Sequence, residues 1–156
     1  ELTSLFDDLT KSGQEPTTQL LEYHTGVADE EIAVELNLAK DHEIVTIQRL
    51  RCANGEPLAV MTNYLPVEIA PDAEELEASG LYQALRGRGV HIRLARQRIG
   101  ARPANRNEAR LLDEKAGAPL LTMSRTAFDD SGRAVEFGSH CYRASRYYFE
   151  TQLVDR

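Results

Sequence analysis

The chain has 156 residues, 42% apolar and 28% charged, which fits one globular domain large enough to bury a core. A net charge of −7 argues against its holding nucleic acid unaided, and no apolar run approaches the ~20 residues of a membrane-spanning helix. Two cysteines make no disulfide framework and four histidines share no metal-ligand spacing, so a reducing cytoplasm is expected, with neither metal nor cofactor.

The first stretch, ELTSLFDDLTKSG, has neither the basic start nor the apolar segment of a signal peptide, and without a Met it reads as cut from a longer chain. Leu2, Leu5, Phe6 and Leu9 follow helical spacing, with Gly13 placed to stop the helix. A strand is predicted over 17–28 and a short helix over 28–38, with Asp29 as N-cap. A hairpin over 43–65 turns at Asn54-Gly55, and Pro66 and Pro71 then break the chain. A helix starts at Ser79 and ends in glycine, and 90–101 alternates as a strand. A helix over 104–117 takes Asn105 or Asn107 as its cap. A second hairpin covers 119–128 and 134–144, and a closing strand 147–154.

Helix, strand, glycine turn, strand occurs at 29–65 and again at 105–143. At an offset of 76, Ala33 matches Ala109, Leu36 matches Leu112 and Arg49 matches Arg125. Two such units predict one α+β domain over 1–156, a mainly antiparallel sheet with helices packed on it.

Charge is divided unevenly. Residues 1–77 carry 17 acids and 4 bases (−13), and residues 78–156 carry 8 acids and 14 bases (+6). Eight arginines fall between Arg86 and Arg110 against one acid, Glu108. They form either a solvated face or a contact face towards a partner subunit or DNA phosphates.

Val45, Ile47, Arg49 and Arg51 share one side of their strand, so two arginines extend an apolar line. Arg125 repeats this on the second hairpin, beside Leu121 and Met123. Glu136, Gly138, His140 and Tyr142 share a face of the return strand. If those faces meet, one site gathers three guanidinium groups, a carboxylate, an imidazole and a phenol. Guanidinium groups among apolar neighbours need matched charge, and they bind phosphate or carboxylate through paired hydrogen bonds. An internal Arg–Glu ion pair without ligand is the alternative. Arg51, nearer the turn, is expected to be the more exposed of the two arginines. Ser79-Gly80, opening a helix, offers free N–H groups to an anion. No Walker or G-x-G-x-x-G spacing, nucleophile elbow or catalytic triad is present.

Three segments carry a family resemblance: R-x-R-x-A-N-G-E-P-L-A at 49–59, Y-L-P at 64–66, and R-T-A-F-D, G-R-x-V-E and Y-R-x-x-R-Y-x-F within 125–149. In this order they resemble the UTRA domain, the effector-binding half of bacterial GntR-family regulators of the HutC subfamily. The resemblance implies a chorismate-lyase-like fold, a homodimer, a small anionic effector such as a phosphorylated sugar or organic acid, and a winged helix-turn-helix domain upstream that touches operator DNA. It assigns Arg49 and Arg51 to the pocket, Ser79 and Gly80 to the effector's anionic group, and Glu136 and Tyr142 to polar contacts. Amino-sugar-phosphate sensors of the family tend to carry an acid at the place of Met61 and a hydroxyl at that of Gly80. Their absence implies an anionic effector with a more apolar body. An enzyme of the related lyase fold and a dimerisation module without ligand are the competing expectations.

Overall fold

The computed structural model describes residues 5–155. Among them, six strands form one antiparallel sheet: β1 (Pro16–Val27), β2 (Glu43–Ala53), β3 (Glu56–Pro66), β4 (Ile92–Pro103), β5 (Pro119–Asp129) and β6 (Ala134–Arg143). Their order is β1-β2-β3-β6-β5-β4. Five helices accompany them: α1 (Leu5–Lys11), α2 (Glu30–Glu35), α3 (Ala73–Ser79), α4 (Leu81–Gly87) and α5 (Arg106–Leu112). The α+β expectation holds.

The first hairpin turns where expected, with Asn54 and Gly55 both at positive φ (51° and 80°), the type I′ conformation that matches strand twist. Asn105 caps α5, and Glu108 completes a reciprocal capping box. That helix ends at Leu112, short of Gly117, because Asp113 adopts the left-handed conformation. Asp29 precedes α2 without a side-chain cap bond, and α2 is shorter than predicted. Leu2 and the side chains of Leu5 and Phe6 lie outside the described residues. Leu9 of the same helix is buried.

Residues 73–79, for which the sequence predicts no element before Ser79, form α3, capped by Asp72 and Glu75. Two expectations are corrected. Ser79 does not open a helix but ends α3, its hydroxyl donating to the Glu75 carbonyl, and Gly80 joins α3 to α4 at φ 79°. Residues 147–154 form no strand. The neighbours of β6 are already β3 and β5, so the chain leaving it finds no vacant sheet edge beside it. Tyr147 and Phe149 instead pack on Tyr142, with ring centroids 5.1 and 5.2 Å away.

The strands' alternation gives the sheet two apolar faces. At the back, Leu50, Val60, Leu120 and Cys141 meet Ala109 and Leu112 of α5, and Ile44 and Phe137 meet Ile32 and Leu36 of α2. At the front, Val45, Ile47 and Leu65 lie under Leu76, Leu81 and Leu85 of α3 and α4, while Met61, Met123 and Tyr142 lie under Leu9 of α1. Full burial of each Leu, Ile, Val, Phe or Met side chain among these contributes about 1.5–3 kcal/mol.

The internal repeat is longer than the sequence indicated. An offset of 76 carries residues 5–11 onto 81–87, 16–27 onto 92–103 and 43–53 onto 119–129, superposing the bounds of α1 on α4, β1 on β4 and β2 on β5. Leu9 and Leu85 are both buried, and Gly13 and Gly89 both hold positive φ. Since β3 pairs with β6 at the centre, a pseudo-twofold axis passes between these strands. Among the described residues no helix is long and apolar enough to cross a membrane.

Candidate functional site

Between α1 and α3–α4 the front face of the sheet is left open, forming a cavity of about 900 Å3. Register dictates what lines it. Leu20, Arg49, Met61, His140, Met123 and Ile99 are successive cross-strand partners, one row over all six strands. A neighbouring row places Asn63, Gly138, Arg125 and Gln97 side by side. A third brings Thr18, Arg51, Ala59 and Tyr142 together. The apolar line that ends in arginines is thereby explained: Val45 and Ile47 lie under the helices, and Arg49 and Arg51 emerge where the helices stop.

Arg49 and Arg51 are buried, at 5% and 4% exposure. The expectation that Arg51 is the more exposed fails, because β1 runs alongside β2 to its end and Thr18 accepts a hydrogen bond from the Arg51 guanidinium. Arg49 Nη2 donates to Asn63 Oδ1 at 3.0 Å, and Asn63 Nδ2 donates to Glu136 Oε1 at 2.6 Å. Asn63 therefore stands between the guanidinium and the carboxylate, which make no direct ion pair. Arg125 donates through Nε and Nη2 to Gln97 Oε1, at 3.2 and 2.9 Å, and through Nη1 to the Tyr82 hydroxyl at 3.4 Å.

Glu136, 1% exposed, lies behind Asn63 and outside the cavity lining. Burial pushes its carboxyl up to about 7, against the Asn63 hydrogen bond and the charges of Arg125 and Arg49. His140 lines the cavity as a neutral imidazole, since burial and then the arginines at 49, 125 and 51 pull it down to about 3. Gly138 allows both groups to close over the sheet. A Cβ there would lie 2.6 Å from His140 Nε2 and 3.0 Å from Glu136 Oε1. Tyr142 is buried among Met61, Met123 and Leu9, and burial raises its hydroxyl pKa.

Eight of the nine residues singled out from sequence line this cavity: Arg49, Arg51, Met61, Ser79, Gly80, Arg125, His140 and Tyr142. Asn63 was missed, although it shares Met61's face and alternation alone places it there. Tyr82, Tyr147 and Phe149 also line the cavity; Tyr147 and Phe149 belong to the Y-R-x-x-R-Y-x-F segment, but the strand expected over 147–154 gave them no place at the site. Of the basic segment, Arg88 pairs with Glu75, Arg96 with Glu35 and Arg102 with Glu108, so part of it is neutralised within the molecule.

Comparison with known proteins places this geometry. The UTRA domain model matches residues 11–148. A solved candidate transcriptional regulator from Streptomyces coelicolor is 52% identical, with a TM-score of 0.86 over 92% of this chain and 96% of its own. The ligand-binding domain of a candidate GntR-family regulator from Bordetella bronchiseptica is 27% identical, with a TM-score of 0.83 over 90% of each chain. The HTH-type transcriptional repressor NagR of Bacillus subtilis is 32% identical over 99% of this chain but only 64% of its own length. This chain thus spans less than two thirds of that repressor. The antiparallel sheet of this chain is the fold of a GntR-family effector-binding domain, as in the Bordetella bronchiseptica ligand-binding domain. The chain belongs to the UTRA domain family. The relatives carry the names of regulators, not of lyases.

Proposed function

We propose that this domain senses a small anionic metabolite for a HutC-type regulator. Arg49, Arg51 and Arg125 converging on one cavity is the observation that carries the reading. A guanidinium offers a carboxylate or phosphate a planar pair of donors, and the surrounding low dielectric strengthens the contact. The deep carboxylate is sequestered by Asn63, so it is poorly placed to accept from sugar hydroxyls. Met61, Met123, Tyr82 and Phe149 present apolar surface instead. An organic acid with an apolar or flat body fits this lining better than a polyhydroxylated phosphate.

In the full-length cytoplasmic protein a winged helix-turn-helix domain upstream contacts the operator, and two copies act as a dimer. The effector changes DNA affinity only through unequal binding to two arrangements of that dimer. A coupling of ~2 kcal/mol alters operator affinity about thirtyfold.

Thermal-shift screening with phosphorylated sugars and organic acids tests the reading. A ligand at about 100 times its Kd adds about 2.7 kcal/mol of stability. Arg49→Lys, which keeps the charge but loses the planar fork, is expected to remove most of that gain. Full retention of the gain would exclude Arg49 from the site.

A further inference from the structure

We propose that the anion enters this cavity together with a proton, which Glu136 carries beneath the cavity floor. The proposal rests on the anion-binding reading above and adds a second, linked ligand to the same site.

The hydrogen-bond chain from Arg49 through Asn63 to Glu136 joins a lining guanidinium to a carboxylate that no ligand reaches directly. Asn63 can occupy this place in only one sense, its oxygen towards the donor and its amide towards the acceptor. Glu136 Oε1 is thereby engaged, while Oε2 is buried without a partner, where an O–H is as well accommodated as a bare oxygen. The ionisable groups facing this carboxyl come from four elements: Arg49 on β2, Arg125 on β5, Tyr82 on α4 and His140 on its own strand. His140 and Tyr82 remain neutral at physiological pH, at about 3 and about 12. The Asn63 hydrogen bond and the two guanidinium charges favour the carboxylate against a burial that opposes it.

An anion on Arg49 or Arg125 cancels that field, and the bound molecule removes water from the cavity. Both effects favour the neutral acid, so Glu136 takes a proton from solvent as the anion binds. By reciprocity a lower pH strengthens anion binding. At pH values where empty Glu136 is ionised and the liganded form is protonated, affinity falls by at most about tenfold per pH unit. Asn63 is the positioning residue that holds the two charges in register.

Sulfate is a suitable probe because it does not titrate near neutral pH. Equilibrium dialysis of the chain with labelled sulfate is run at constant ionic strength from about pH 6 to about pH 8.5. The expected Kd rises by about tenfold or more over that interval, while Glu136→Gln, neutral at every pH, gives a flat profile. A flat wild-type profile, or an equal slope in Glu136→Gln, overturns the proposal. So does a slope that survives in Glu136→Gln and disappears in His140→Gln. Sulfate that binds at no pH removes the anion site itself, whereas binding with a flat profile removes the proton linkage alone. Should Glu136→Gln not fold, calorimetry of the wild type near pH 8 in two buffers of different ionisation enthalpy decides the matter. Uptake of a substantial fraction of a proton is expected, and none overturns the proposal.

Discussion

Gly138 sits where the two chemistries of the cavity floor touch, and it sits there because a side chain would collide with both. Gly138→Ala places a methyl carbon against the cavity-lining His140 ring and the buried Glu136 carboxyl, both of which must shift, and is expected to cost about 1–3 kcal/mol. Gly100→Ala meets only the Thr122 hydroxyl, at 3.2 Å, and is expected to cost less. Chemical denaturation of the two variants makes the comparison, and an equal cost would remove the close approach as the reason for Gly138. Glu136 gives a second test through pH. Its carboxyl is raised from the ordinary 4.5 to about 7 in the folded protein, so the folded state holds a proton that the unfolded chain has released. Its contribution is complete below about pH 4.5 and is lost as pH rises through 7, a change of about 3 kcal/mol. Wild type is therefore expected to lose stability across that window relative to Glu136→Gln. Parallel curves of melting temperature against pH would show that Glu136 does not titrate there.

At the scale of elements, local rules and long-range packing divide the structure between them. The Asn54-Gly55 turn, the Asn105 cap and the alternation that put Arg49, Arg51 and Arg125 on one face are local, and all were legible. Helix α3 was legible too, in Pro71-Asp72 followed by Glu75, a capping-box spacing that the neighbouring prolines obscured. Aromatic alternation over 147–149 imitates a strand, yet whether a sheet edge is vacant depends on strand order, which no local pattern contains. Nor does any local pattern show that Asn63 would separate Arg49 from Glu136, since that geometry joins strands 73 residues apart. The duplication makes its own prediction. Leu9 and Leu85 anchor equivalent helices against Met123 and Tyr142 in one half and Ile47 and Leu65 in the other. Leu9→Ala and Leu85→Ala are each expected to cost about 2–5 kcal/mol by denaturant unfolding. A near-zero cost for Leu9→Ala would mean that α1 does not share in the core as α4 does.

For the molecule as a whole, the pseudo-twofold axis explains why a sensor site lies at its centre. Front helices α1 and α4 cover opposite ends of the sheet, and the uncovered middle carries Arg49 from one half and Arg125 from the other. The repeat is not symmetric in chemistry, however. An offset of 77 sets Met61 against Gly138 and Asn63 against His140, so each half contributes different groups to the floor. A binding site on the axis can thus recognise a molecule that itself lacks symmetry. Crystals soaked in selenate and examined by anomalous diffraction test this account most directly. The account places the strongest selenium peak inside the cavity, within hydrogen-bond reach of Arg49, Arg51 or Arg125. Peaks confined to exposed arginines of β4, with an empty cavity, would contradict it.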